Sequence, residues 1–124
     1  MIKKDLLYTK DYAWVKIDGE IATIGISEPG ARMVEEFVFI DLPEKGRNVK
    51  KGEDFIHLEA MKWTGTIKSP FNGEVIDVNN EAVNDPSIIN KDPYNTWLVK
   101  IKLLNPEEAK DLLTPEQAEQ VYRR

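Results

Sequence analysis

The chain is 124 residues long and sets 17 basic against 22 acidic side chains, a net charge of −5, with no cysteine and a single histidine, His57. That composition excludes disulfides, thiolate metal sites and cysteine nucleophiles, and one histidine leaves few ways to build a catalytic centre or a metal site. The acidic balance, with basic residues scattered, argues against a nucleic-acid partner, and no stretch approaches the roughly 20 apolar residues of a membrane helix.

The length suits a single domain over 1–124, with a β-rich core over 1–104 and a helical segment over 105–124. Met1-Ile2-Lys3-Lys4-Asp5 has no apolar run of signal-peptide length, so a cytoplasmic location is expected. Val15-Lys16-Ile17, the turn signal Asp18-Gly19 and the alternating Ile21-Ala22-Thr23-Ile24-Gly25-Ile26 read as a hairpin. Ser27 as a cap, Pro29 near the first position and the acidic residues of Glu28–Glu36 then predict a short helical turn.

Further strands are expected at Phe37–Leu42, Phe55–Leu58, Thr66–Lys68, Gly73–Val78 and Trp97–Leu103. After Asn105 the pattern becomes helical, with Pro106 at one start and Thr114-Pro115-Glu116-Gln117 at another. The fold class is therefore mainly β: a flattened barrel or a sandwich of two small antiparallel sheets, with a short internal helix and C-terminal helices on or trailing from the core.

The most informative segment surrounds Glu59-Ala60-Met61-Lys62-Trp63, which lies between two strand-like runs and so places Lys62 at or beside a hairpin tip. Gly46 and Gly52 precede Lys62 by 16 and 10 residues and Gly73 follows it by 11, each suited to positive φ or to a close backbone approach. His57, between Ile56 and Leu58, reads as a packed or sheet-surface histidine, since no nucleophile is tied to it, and a hydrolase is the weakest option.

At these residues the sequence resembles the biotinyl/lipoyl domain superfamily, whose exposed hairpin lysine receives a swinging-arm cofactor. The resemblance makes Lys62 the attachment point and Glu59, Ala60, Met61 and Trp63 the surface read by the modifying enzyme. Glu-Ala-Met-Lys is seen in biotin acceptors, but Trp63 stands where they carry methionine. Biotin and an unmodified interaction module remain as lesser readings.

The rest of the chain carries, in order, Tyr8-Thr9-Lys10-Asp11, Trp14-Val15, Ile21–Ile26, Val38-Phe39-Ile40-Asp41-Leu42-Pro43, Ser69-Pro70-Phe71-Asn72-Gly73-Glu74-Val75, Ile89-Asn90-Lys91-Asp92-Pro93-Tyr94 and Trp97-Leu98-Val99-Lys100-Ile101. In these pieces and their order it is similar to the H-protein family of the glycine cleavage system. The similarity implies covalent lipoate on Lys62 and a carrier that is not itself an enzyme. The implied partners are a lipoate ligase or octanoyl/lipoyl transferase, dihydrolipoamide dehydrogenase, and the enzymes that load and unload the arm.

The chain departs from the family's pattern at the expected arm cleft, for which Asp11, Tyr12, Ala13 and Thr66 are candidates. Tyr12-Ala13-Trp14 replaces His-Glu-Trp, Thr66 replaces an aspartate, Trp63 replaces a small residue, and Asn95-Thr96-Trp97 is one residue short. Carboxylates hold a protonated aminomethyl group through charge-assisted bonds of about 1.5–3 kcal/mol each. Their loss favours a lipoate-binding carrier for a heterodisulfide-reductase-like complex in sulfur oxidation. The alternative is the glycine-cleavage role between glycine decarboxylase and the folate-dependent aminomethyltransferase, with Asp11 or Glu28 compensating.

Overall fold

The computed structural model describes residues 2–123. It begins with β1 (Leu7–Tyr8) and the hairpin of β2 (Ala13–Asp18) and β3 (Ile21–Ile26), followed by the helical turn α1 (Glu28–Arg32). Next come β4 (Phe37–Asp41), β5 (Asn48–Val49), β6 (Asp54–Ala60), β7 (Trp63–Lys68) and β8 (Gly73–Val78). Helices α2 (Asn80–Asn84) and α3 (Ser87–Lys91) and a 3-10 turn (Pro93–Asn95) lead to β9 (Trp97–Leu103). A second 3-10 helix (Pro106–Asp111) and α4 (Pro115–Tyr122) close the described chain.

The strands form two antiparallel sheets, ordered β1-β2-β3-β9-β8-β5 and β4-β6-β7. Both keep open edges, so the expected alternative of a sandwich holds and the barrel does not. Alternation along the strands turns Val15, Ile24, Val75 and Ile101 of the large sheet inward, together with Ile40, Ile56, Leu58 and Ile67 of the small one, and all are fully or almost fully buried.

Glycines take up the backbone demands between strands. Gly52 has φ of +89°, where a side chain would be strained, and its N–H donates to the Ser69 carbonyl at 2.8 Å. Gly73 meets a different need, because a Cβ there would stand 2.3 Å from the Lys102 carbonyl oxygen on β9.

Several expected elements shift. Strands β6 and β7 run further toward the hairpin tip than Phe55–Leu58 and Thr66–Lys68, because Ala60 pairs with Trp63 and leaves only Met61 and Lys62 in the turn. The first C-terminal helix, Pro106–Asp111, is 3-10 rather than α. The elements over 80–95 were not expected at all.

The final helix packs on the core rather than trailing from it. The Tyr8 N–H donates to the Leu113 carbonyl and the Leu113 N–H to the Tyr8 carbonyl, while Ala118 is buried with Tyr8 and Trp14. Thr114 and Gln117 form a reciprocal capping box at its start. Thr114→Ala is expected to cost about 1 kcal/mol, lowering Tm by roughly 3–5 °C in a thermal melt. An unchanged Tm would mean that α4 contributes little to cooperative folding.

Candidate functional site

Lys62 stands at the outer end of the small sheet in the two-residue turn between β6 and β7, exposed, beside a Met61 that is 78% exposed. Neither turn residue has positive φ. Tight pairing up to Ala60 and Trp63 fixes where the lysine emerges, while the amine keeps its own rotamer freedom. This combination suits covalent attachment of an arm: the amine is accessible to a modifying enzyme and its root is fixed.

Around the tip, Glu59 lies on the exposed face, where its carboxylate meets His57 Nε2 at 2.9 Å. His57 is thus a sheet-surface residue paired with a carboxylate. Ala60 is half-buried opposite Phe37, and Trp63 turns its ring edgewise toward Phe37, with centroids 6.0 Å apart and planes at 69°. A groove of about 440 Å³ runs beside Lys62, walled by Met33, Val34, Glu35 and Trp63.

A second, smaller hollow of about 40 Å³ opens between the sheets, bordered by Asp11, Tyr12, Met33, Phe37, Trp63 and Thr66. The structure therefore brings Asp11, Tyr12 and Thr66 together, as expected of cleft residues, although they come from opposite layers. Ala13 is different and corrects the expectation: it is 0% exposed, packed in the core, and does not border the hollow.

The loop carrying Asp11 and Tyr12 is held from several sides. Thr9 Oγ1 accepts from the Asp11 and Ala13 N–H groups at 3.2 and 3.3 Å, and the Tyr12 carbonyl accepts from the Ser27 N–H at 2.8 Å. Asp11 Oδ2 accepts from the Lys68 N–H at 2.9 Å, tying the large-sheet loop to β7. Tyr12 adopts φ of +70°, a strained conformation for a bulky residue, and stacks on Tyr122 of α4 with centroids 4.3 Å apart. Burial pushes the Tyr122 hydroxyl pKa upward, so it stays protonated and donates to the Thr9 carbonyl.

Sequence reasoning missed Met33, Phe37 and the residue that places them, Asn90. The Asn90 side chain accepts from the Phe37 N–H at 2.9 Å and donates to the Ala31 carbonyl at 3.2 Å, locking α1 and β4 behind the cleft. An asparagine in a polar stretch gives no pattern that separates this role from solvent exposure.

Comparison with known proteins bears on the same architecture. A sequence model of the family described as "Glycine cleavage H-protein" matches residues 6–124. The chain belongs to the glycine cleavage system H-protein family. A probable glycine cleavage system H protein from Aeropyrum pernix is 42% identical over 94% of this chain and 82% of its own length. The glycine cleavage system H protein of Carboxydothermus hydrogenoformans is 34% identical over 98% of this chain and 94% of its own. A crystal structure of an H protein from Mycobacterium marinum superposes with a TM-score of 0.84 at 32% identity, covering 96% of this chain and 98% of that one.

Membership makes this protein a carrier rather than an enzyme, with lipoate covalently attached to a lysine as its cofactor. The exposed turn and the adjoining apolar groove fit such an arm. Among the described residues no helix is long and apolar enough to cross a membrane.

Proposed function

We propose that this chain is the lipoyl carrier of a glycine cleavage system, with its arm on Lys62 carrying the aminomethyl group from glycine decarboxylase to the folate-dependent aminomethyltransferase. The observation that carries the proposal is the fixed, exposed Lys62 at a two-residue turn, next to Trp63, which borders a cleft lined in part by Asp11. Lipoate would supply a disulfide able to open, hold a group on one sulfur and take up two electrons. Dihydrolipoamide dehydrogenase and a lipoate ligase or octanoyl/lipoyl transferase complete the proposed set of partners.

On sequence alone, the absence of carboxylates at positions 13 and 66 favours sulfur oxidation. Two observations now support the glycine-cleavage reading over it. The relatives described above are named for glycine cleavage, and Asp11 brings a carboxylate to the cleft from a neighbouring position. A hollow of about 40 Å³ has room for about three water-sized groups. An aminomethyl terminus, with two heavy atoms and a positive charge, matches both that size and the charge.

The test is a reconstitution in which the lipoylated protein is offered separately to glycine decarboxylase and to a heterodisulfide-reductase-like complex. Aminomethyl loading by the decarboxylase is expected. Failure to load, with turnover by the sulfur complex, would reverse the assignment.

Asp11→Asn keeps an oxygen for the Lys68 N–H but removes the charge. It is expected to hasten loss of the aminomethyl group by about tenfold, roughly the difference between a charge-assisted bond and the neutral one that asparagine still offers. Formaldehyde release from the loaded protein measures this, and an unchanged rate would remove Asp11 from the role.

A further inference from the structure

Among the described residues, only Met33 and Trp63 border both hollows, the outer groove beside Lys62 and the inner cleft that Asp11 helps to line. Trp63 is 36% exposed, and its indole is laid back along its own strand, across Gly65. A Cβ at position 65 would stand 2.5 Å from Cζ2 and 2.6 Å from Cη2 of that ring. Any side chain there would push the indole off the strand. Gly65 is not in the positive-φ region, so its value at this position lies in the space it leaves.

An indole face exposed beside an acceptor lysine is apolar surface without a partner on its outer side. The inner cleft, at about 40 Å³, is too small for a five-membered disulfide ring, whereas the groove of about 440 Å³ beside Trp63 is not. Sulfur also packs favourably against aromatic rings.

We propose that the indole of Trp63 is the resting seat of the lipoyl ring carried on Lys62, with Gly65 as the positioning residue that keeps the seat in place. The inference rests on the reading of Lys62 as the lipoylated residue. Trp63 would then serve the oxidised arm as well as the modifying enzyme: it holds the closed ring at the mouth of the cleft between cycles, and once the ring has opened in loading, the small group on one sulfur can pass it toward Asp11. Met33, across the groove, supplies the opposite wall.

The experiment uses the full-length lipoylated protein and measures how fast dithiothreitol reduces the arm's disulfide, the reagent becoming its own cyclic disulfide as the arm becomes a dithiol. Alkylation and intact mass read the extent. A ring at rest on Trp63 is shielded, so Trp63→Ala is expected to speed reduction about 2- to 12-fold, the span of sulfur–aromatic contact strengths. Gly65→Ala is expected to speed it by a similar factor, and Trp63→Phe to retain most of the slow rate.

The double variant separates positioning from a general effect on the strand. If Gly65 acts through the indole, Trp63→Ala with Gly65→Ala reduces no faster than Trp63→Ala alone. Equal rates for the unaltered protein and Trp63→Ala, or a Gly65→Ala effect that persists in full without the indole, overturns the seat while leaving the carrier assignment intact. A Lys62 peptide without the lipoyl mass overturns both.

Discussion

Replacing Lys62 with arginine is expected to give a folded protein that carries no lipoyl group and passes nothing between enzymes, a complete loss rather than a graded one. Arginine keeps the positive charge and a similar reach, but its guanidinium is protonated at every working pH and cannot form the amide. Lys62 lies at an exposed turn with its side chain in no hydrogen bond or ion pair among the described residues, so the change removes no packing. Surface changes of this kind stay within about 0.5 kcal/mol. Intact mass after expression with a lipoylating enzyme gives the first readout and a thermal melt the second. Lipoyl mass on the arginine variant would show that another lysine is the acceptor.

Phe71→Ala makes the opposite separation, leaving the attachment chemistry and removing the support. Phe71 is 0% exposed and sits where the chain leaves β7 for β8. Its N–H donates to Ser69 Oγ, whose hydroxyl donates back to the Phe71 carbonyl at 2.7 Å, so the backbone cannot easily collapse into the space. A large-to-small change in such a site costs about 3–5 kcal/mol. For a chain of this length that corresponds to a fall in Tm of roughly 10–20 °C, measurable by calorimetry. The lipoylated fraction of the folded protein should not change, because the hairpin tip is built from other contacts. A loss under about 1 kcal/mol would mean that Phe71 is not part of the core.

Much of this fold was legible because its strands alternate. Ile21–Ile26, Gly73–Val78 and Trp97–Leu103 are found at the expected limits, and Gly52 and Gly73 answer the two demands anticipated for them. The two-residue strands β1 and β5 are too short to show a period, and they exist because a neighbouring strand offers hydrogen-bonding groups. Residues 80–95 fold into short helices through local caps such as Asn79, which accepts from the Glu81 N–H, within a stretch whose composition reads as loop.

The turn position of Lys62 was legible because two strand-like runs flank it, and a lysine between them leaves a mark in sequence. The cleft was less so. Ala13 was placed on its surface by analogy of position, yet β2 turns that side chain into the core, while Asp11, two residues earlier, reaches β7 through the Lys68 N–H. A shift of two positions in a strained loop held by Thr9, Ser27 and Tyr122 is a tertiary outcome. No periodicity announces it. Met33 and Phe37 reached the site for a similar reason, through an asparagine more than fifty residues away in the chain.

The two sheets also divide the work in a way that matters for how such a protein can change. Lys62 lies in the turn between β6 and β7 of the small sheet, whereas Asp11 and Tyr12 hang from the large sheet, with Tyr12 stacked on Tyr122 of α4. Substitutions in the loop between β1 and β2 can therefore change one wall of the cleft, the other being formed by Phe37, Trp63 and Thr66 of the small sheet, without touching the turn that holds Lys62. If Lys62 bears the lipoyl group as proposed, the attachment turn and one wall of the cleft can vary independently, because they hang from different sheets.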